Sequence, residues 1–389
     1  MSAIALPRPP DDPQQVEPID LLLGIWRHVL QTADVAPDSN FFDLGGDSLL
    51  ALTLFLEIER ATGRHLPITA IYDAQTVQEQ AALLAGQPAP EFSPLVLLKG
   101  GDGSAPLFIF HGVGGAVVEF AALGKLIDIP GEVFAVQAQG VDGTLPPLES
   151  VEEMAALYFD NIRQRQPAGP YWLCGYSFGG LLAVEVARRL KQAGEEIALL
   201  FLIDSYAHPA TWPRKSLLKV RARRAGNLVL SRLERPPREN FAVLLAALGM
   251  FATNTADNDD DSQLPPEMRK RSWLLKMKPN LPLPLLETRL ATERALYRYR
   301  PSYYSGEALF LKAQRPDPHF PDDPKHVWRK LIGQLTMQVC PGSHLTIVSE
   351  HAADVAARIN ASVREARRAP TLTVAPKRGF RWSMSARPV

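Results

Sequence analysis

Apolar residues recur at helical spacing in two early stretches, IDLLLGIWRHVL from Ile19 and SLLALTLFLEIERATG from Ser48. The spacing predicts two helices, the second stopped by Gly63, and a third over Thr76–Leu84 with Thr76 as its cap. Three or four short helices between Ile19 and about Ala85 make a small all-α bundle with little core to spare. From Leu107 the pattern changes. PLFIFHG, VFAVQAQG, YWLCGYS, IALLFLIDS and ALFLKAQ are short apolar runs that end in glycine or polar turns, as buried parallel strands do. Helical stretches such as FGGLLAVEVARRLKQAG separate the first four, which predicts a mostly parallel, doubly wound sheet. Between His208 and about Ser302 the alternation stops, and a charged, proline-punctuated helical stretch reads as a lid inserted over the sheet edge.

Composition sharpens the division. Three prolines and a glycine in GQPAPEFSP, residues 86–94, mark a linker around 87–94 between a helical domain at 18–86 and an α/β domain at 95–366. Residues 1–17 read as a flexible lead-in, and 367–389, basic and without acids, as a disordered tail. The 389 residues suit two domains, and 46% hydrophobic content is enough to build their cores. Lys plus Arg and Asp plus Glu balance at 42 each, which removes any general attraction to nucleic acid or to an anionic membrane. Two cysteines, Cys174 and Cys340, make no disulfide framework and fit a reducing cytoplasm. The N-terminus has no basic region followed by an apolar run, and no apolar stretch is long enough for a transmembrane helix.

Two segments carry chemistry. The first is FFDLGGDSLL, residues 41–50. By physics alone Asp47–Ser48 is a helix start after a Gly45-Gly46 loop, where a serine caps orphan amides. The whole segment resembles the phosphopantetheine attachment site of peptidyl carrier proteins from nonribosomal peptide synthetases, over roughly residues 18–86. That resemblance implies a covalent 4′-phosphopantetheine on Ser48, installed by a separate phosphopantetheinyl transferase. A helix start favours such a phosphate through its exposed amides and dipole.

The second is YWLCGYSFGG, residues 171–180: an apolar strand, then Gly175-Tyr176-Ser177-Phe178-Gly179, then an amphipathic helix. This is G-x-S-x-G in the strand–turn–helix setting of a nucleophile elbow, so Ser177 is the expected nucleophile. The hydroxyl needs a base and the base an orienting acid, in the chain order Ser, Asp or Glu, His. His344, in a Gly-Ser turn after an apolar run, is the expected base over His208, His319, His326 and His351; His319 and His326 fall in a proline-rich, charged loop that reads as solvated. Asp204, which ends IALLFLID, is preferred as the acid over Asp317, one strand later. The oxyanion hole is expected from the backbone amides of Phe178 and of Val113, with Gly114 next, in the loop after PLFIFHG. Gly112 and Gly114 begin a G-x-G-x-x-G pattern, but Val117 breaks it and removes the dinucleotide reading.

With GYSFGG, LFLIDS and GSHLTI in this order, the segment from about Leu107 to Ile359 resembles the type I thioesterase that ends a nonribosomal peptide synthetase, an α/β-hydrolase. The resemblance supports Asp204 as the acid and implies a helical lid. It further implies an offloading enzyme that moves an acyl or peptidyl chain from Ser48 to Ser177 and releases it by hydrolysis or cyclisation. Upstream synthetase modules or an acyl-loading enzyme would supply the chain, whether this is a free-standing didomain loaded in trans or a piece of a longer protein. A free-standing esterase or lipase with a carrier-like appendage, and a non-catalytic carrier or docking protein, are the alternatives; the complete triad opposes the latter.

Other segments invite less. DNDDD at 257–261 resembles the start of a calcium loop, but Ser262 and Met268 stand where Gly and Glu are needed, so no metal is expected. The basic stretch Arg214–Arg238 reads as an amphipathic lid helix with a solvated face, or alternatively as a docking surface. Cys174, within an apolar run, reads as core.

Overall fold

A computed structural model of the chain describes residues 18–46, 48–64, 66, 70–86, 92–207, 209–230 and 283–368. The lead-in at 1–17, most of the linker, Asp47, His208, the acidic run at 257–261 and the tail from 369 lie outside the described residues, as does the basic stretch beyond 230.

The N-terminal part is helical: α1 (Pro18–Leu30), α2 (Ser48–Thr62), α3 (Ala70–Asp73) and α4 (Val77–Leu84). Gly63 follows α2 with φ 67°, the left-handed stop its sequence position predicted. Thr76 caps α4 and Glu79 returns the bond to the cap amide, a reciprocal capping box. The core is one apolar cluster around Leu22, Trp26, Phe41, Leu54 and Ile71. Trp26 donates its indole N–H to Gln80 at 3.0 Å, and Gln80 donates onward to the Ala74 carbonyl, so the buried amide is satisfied.

The remainder forms a seven-stranded sheet. Its strands are β1 (Leu95–Lys99), β2 (Leu107–Phe110), β3 (Val133–Val136), β4 (Tyr171–Tyr176), β5 (Ile197–Ile203), β6 (Tyr304–Ala313) and β7 (Ile332–Cys340), in the order β1-β3-β2-β4-β5-β6-β7. All neighbours are parallel except β1, which pairs antiparallel with β3 at the edge. β2, β3 and β4 are buried at every position, because helices cover both faces. Phe108 and Phe110 face one core with α6 (Val151–Arg165) and α7 (Gly179–Gln192). Leu107 and Ile109 face the other, with α5 (Ala121–Leu126) before β3 and a C-terminal helix, Ala352–Arg368. Cys174 lies in this second core, as its place in an apolar run suggested, and burial pushes its thiol pKa far up.

Between β5 and β6 the described chain holds α8 (Arg214–Leu230) and α9 (Leu283–Arg298). β5 and β6 pair directly despite the insertion. Two features differ from the sequence reading. β1 was not expected as a strand; the short LVLLK carries no alternating pattern, and its burial is mixed. The proline-rich stretch before β7, read as a solvated loop, contains the short helix α10 (Pro324–Trp328), capped by Asp323. It buries Val327 and Trp328, whose indole donates to the Ser205 carbonyl at 2.9 Å, while His319 and His326 stay exposed. The C-terminal helix is α11.

The two parts touch. Val118, Ala138, Val141 and Leu285 of the sheet domain are continuous with the apolar cluster of the helical domain. Lys125 on α5 reaches Asp43 at 2.8 Å and lies over the Phe42 ring at 5.9 Å. Phe42 and Asp43 belong to the loop that leads into Ser48.

Candidate active site

The strand order turns at β2: the chain runs outward to β3, then returns to lay β4 on β2's other side. The carboxyl ends of neighbouring strands part at such a point and leave a crevice. The loops after β2, β4, β5 and β7 all open at that edge and carry Val113, Ser177, Asp204 and His344.

Ser177 occupies the turn from β4 to α7 with φ 54°, a left-handed conformation costly for a non-glycine residue. Glycines make the turn possible. A Cβ on Gly175 would lie 2.2 Å from the Gly179 carbonyl oxygen, and one on Gly179 would lie 2.3 Å from that of Phe110. The Ser177 amide donates to Ile203 at 2.9 Å, which ties the elbow to the end of β5.

Ser177 Oγ stands 3.0 Å from His344 Nε2, and His344 Nδ1 stands 2.9 Å from Asp204 Oδ2. A carboxylate only accepts, so Nδ1 carries the proton and Nε2 is free to accept from the serine hydroxyl. Asp204 also has positive φ, 43°, and is 3% exposed; its Oδ1 accepts from the Ala313 amide at 3.1 Å. Both carboxylate oxygens are therefore engaged inside the protein. His344 is 8% exposed. Its ring stacks on Tyr176 at 5.4 Å and meets Phe320 at 4.9 Å, and Tyr176 donates its hydroxyl to the His344 carbonyl at 2.7 Å.

The rivals are elsewhere. Asp317 accepts from the His319 amide at 2.7 Å and does not reach His344. His351 precedes α11, its ring against Gly342. His326 pairs loosely with Asp323 at 3.7 Å, and His208 lies outside the described residues. Among the described residues, no protein group accepts from the amides of Val113 or Phe178, so both donors are open to a ligand.

Three participants escaped the sequence reading. Tyr176 was noticed only as the x of G-x-S-x-G, although an aromatic beside the elbow serine can pack on its histidine partner. Phe320 sits in the segment read as solvated. His111 precedes Ser177, so the chain-order rule excluded it; it is fully buried, with Nδ1 2.6 Å from the Gly112 carbonyl and Nε2 2.8 Å from the Tyr158 hydroxyl.

At the other serine, α2 begins at Ser48. Gly45 takes φ 88°, and a Cβ on Gly46 would lie 2.3 Å from the Phe41 ring, whose edge meets Trp26 at 5.3 Å. The glycine pair thus lets the loop close over its own aromatic anchor and deliver Ser48 to the helix start. The first amides of a helix have no intrahelical acceptor, which suits a phosphodiester there.

Comparison with known proteins identifies both domains. A family model described as the phosphopantetheine attachment site matches residues 20–84, and one described as the thioesterase domain matches residues 105–363. A dimodular nonribosomal peptide synthase from Bacillus subtilis is 30% identical over 337 residues, 84% of this chain and 13% of that protein. Enterobactin synthase component F from Escherichia coli O157:H7 is 31% identical over 220 residues, 56% of this chain and 16% of that protein. Indigoidine synthase from Dickeya dadantii is 35% identical over 182 residues, 47% of this chain and 12% of that protein. The chain therefore spans about an eighth to a sixth of these relatives' length. A four-domain nonribosomal peptide synthetase in its holo form, solved with AMP and glycine, aligns over 92% of this chain and 27% of its own, with a TM-score of 0.52 and 26% identity. The thioesterase model alone covers more than half of the chain, so the chain belongs to the thioesterase domain family and carries a phosphopantetheine attachment domain ahead of it.

Proposed function

We propose that the chain is the offloading end of a nonribosomal peptide or hybrid assembly line, with Ser48 as the carrier serine and Ser177 as the nucleophile. The observation that carries this reading is the Ser177–His344–Asp204 relay, at 3.0 and 2.9 Å, in the same chain as the Ser48 segment. When attached to Ser48, the phosphopantetheine arm supplies the thiol that presents an acyl or peptidyl chain as a thioester. A phosphopantetheinyl transferase would install it, and upstream modules would load it, in the cytoplasm.

The residues of the hydrolase then act in sequence. Ser177 gives its proton to His344 Nε2 and attacks the thioester carbonyl carbon. The open amides of Val113 and Phe178 receive the oxyanion. Asp204 holds the tautomer of His344 and stabilises its cation. His344 returns the proton to the departing thiolate, which leaves an ester on Ser177. Water, or an amine or hydroxyl of the chain itself, then takes the acyl group with His344 as base, for release as free acid or ring. The insertion at 208–302 serves as a lid over this site, with α8 and α9 as its described helices. The domain limits are 18–86 for the carrier and 95–366 for the thioesterase, with 87–94 as linker. Of the basic stretch in the lid, Arg223 is used locally, paired with Asp322 at 2.7 Å.

Among the described residues no helix is long and apolar enough to cross a membrane.

Turnover of a soluble acyl thioester, which needs no carrier, tests the assignment. Ser48→Ala is expected to keep wild-type rates and Ser177→Ala to lose about 10⁴-fold or more. A Ser177→Ala protein with wild-type turnover would overturn it.

A further inference from the structure

Val113 sits between two peptide units, and side chains grip the carbonyls of both. The Gly112 carbonyl shares a trans peptide with the Val113 amide, so the two point in opposite directions, and fixing one aims the other. That carbonyl accepts from His111 Nδ1 at 2.6 Å and from the Gly115 amide at 3.1 Å. Because a carbonyl oxygen only accepts, His111 carries its proton on Nδ1. Its Nε2 is then an acceptor, and the Tyr158 hydroxyl donates to it at 2.8 Å. The His111 ring also lies 5.9 Å from that of Phe178, whose amide is the other open donor. Burial holds His111 neutral, with its pKa pushed down to about 4.

The second grip comes from α9. The Thr292 hydroxyl donates to the Val113 carbonyl and shares its proton with the Arg289 carbonyl of its own helix. One turn earlier, Thr288 is fully buried against the same loop. A Cβ on Gly115 would lie 2.5 Å from Thr288 Cγ2, and one on Gly140 would lie 2.9 Å from Thr288 Oγ1. Both glycines have positive φ, 79° and 100°. Their missing side chains let α9 approach closely enough for Thr292 to reach Val113. Leu285, on the same face, continues into the carrier's apolar cluster.

We propose that Thr292 on α9 and the Tyr158–His111 pair beneath the sheet edge are positioning residues that lock the Val113 peptide with its N–H aimed at the oxyanion. The proposal rests on the reading of Ser177 and the two amides above, and adds the device that keeps one amide aimed. Thr292, Tyr158 and His111 are all fully buried and act on the loop alone. A donor of this kind accelerates the reaction only if its direction is fixed before charge develops, so freeing the peptide costs transition-state stabilisation and leaves ground-state binding alone.

Thr292→Val keeps the side chain's shape and removes its hydroxyl. In the full chain with a soluble acyl thioester, kcat is expected to fall about 10-fold with KM unchanged. Affinity for a boronic acid that becomes tetrahedral on Ser177 should fall in step. Thr292→Ser should restore kcat to within about 2-fold of wild type. Tyr158→Phe, on the other side of the loop, should show the same split, with thermal melts reporting the fold; it decides the question alone if Thr292→Val does not fold. Wild-type kcat in the variants, a loss confined to KM, or a Thr292→Ser as impaired as Thr292→Val would overturn the proposal. Ser177→Ala in the same assay separates the two failures. If it is inactive while Thr292→Val turns over normally, only the positioning device falls; if it is active, the reading of the site falls with it.

Discussion

The helical domain and the sheet domain each present one serine, and they hold it in opposite ways. Ser48 opens a regular helix after a loop in which Gly46 packs on Phe41 while Gly45 has no atom near the place a Cβ would occupy. Ser177 is forced to positive φ in a turn where added carbons on Gly175 and Gly179 would strike backbone. A carrier serine needs to be reached once by an external enzyme and then to move with its load. A nucleophile must meet a base, an electrophile and two amides at fixed distances. Backbone strain is concentrated at the second serine, as the nucleophile role proposed for it requires.

The comparison can be broken most severely at Asp204. Asp204→Asn keeps the shape but removes the charge that holds Nδ1–H toward it, and about a 10⁴-fold loss in kcat is expected, with loading of Ser48 unaffected. Single-turnover release measured beside carrier loading checks both halves.

Next come the glycines. Gly175→Ala must push its new carbon into the Gly179 backbone, a close contact with no flexible side chain to give way. A loss of several kcal/mol is expected, at or above the usual ~1–3 kcal/mol of overpacking. Gly45→Ala meets open space and costs only its positive φ, about 1 kcal/mol. Denaturant titration of the two variants should separate them clearly; equal costs would remove the contrast between the serines.

Acid should act on the sheet domain through His111. Its folded pKa is pushed down to about 4 by burial, from an ordinary value of 6.5. The unfolded chain takes up a proton there below the ordinary value and the folded chain does not. Its contribution is therefore full above pH 6.5 and is lost as pH falls toward about 4, up to about 3 kcal/mol. Urea titrations across that window, with His111→Asn as the variant lacking this slope, check the sign.

The smallest effect belongs to the contact between the domains. Lys125 and Asp43 are both well exposed, so their pair is worth less than about 1 kcal/mol. Lys125→Glu should slow release from the carrier a few-fold, Lys125→Glu with Asp43→Lys should recover it, and turnover of a soluble thioester should not change.

Legibility in the sequence followed the same division. The carrier segment and the elbow are contiguous, so each could be found as a run of residues with a mechanism. Asp204 and His344 lie far apart in the chain, yet both follow strands, and chain order with strand ends was enough to single out the two side chains that meet at Ser177. Thr292, Tyr158 and Phe320 left no such trace. Thr292 is one polar residue in a helical stretch and Tyr158 reads as the apolar face of its helix; their partners, the Val113 carbonyl and the His111 ring, are distant in sequence and brought to them only by the folded loop. β1 was missed because a short edge strand with mixed burial has no periodicity to detect.

The most direct test of one chain serving both serines is intact-mass analysis after the protein is primed at Ser48 with an acylated phosphopantetheine, beside Ser177→Ala. The account expects both proteins to load, the acyl mass to vanish from wild type, and the variant to keep it. An acyl load that persists equally on both, across a panel of chains, or a protein that cannot be primed at Ser48, would contradict it.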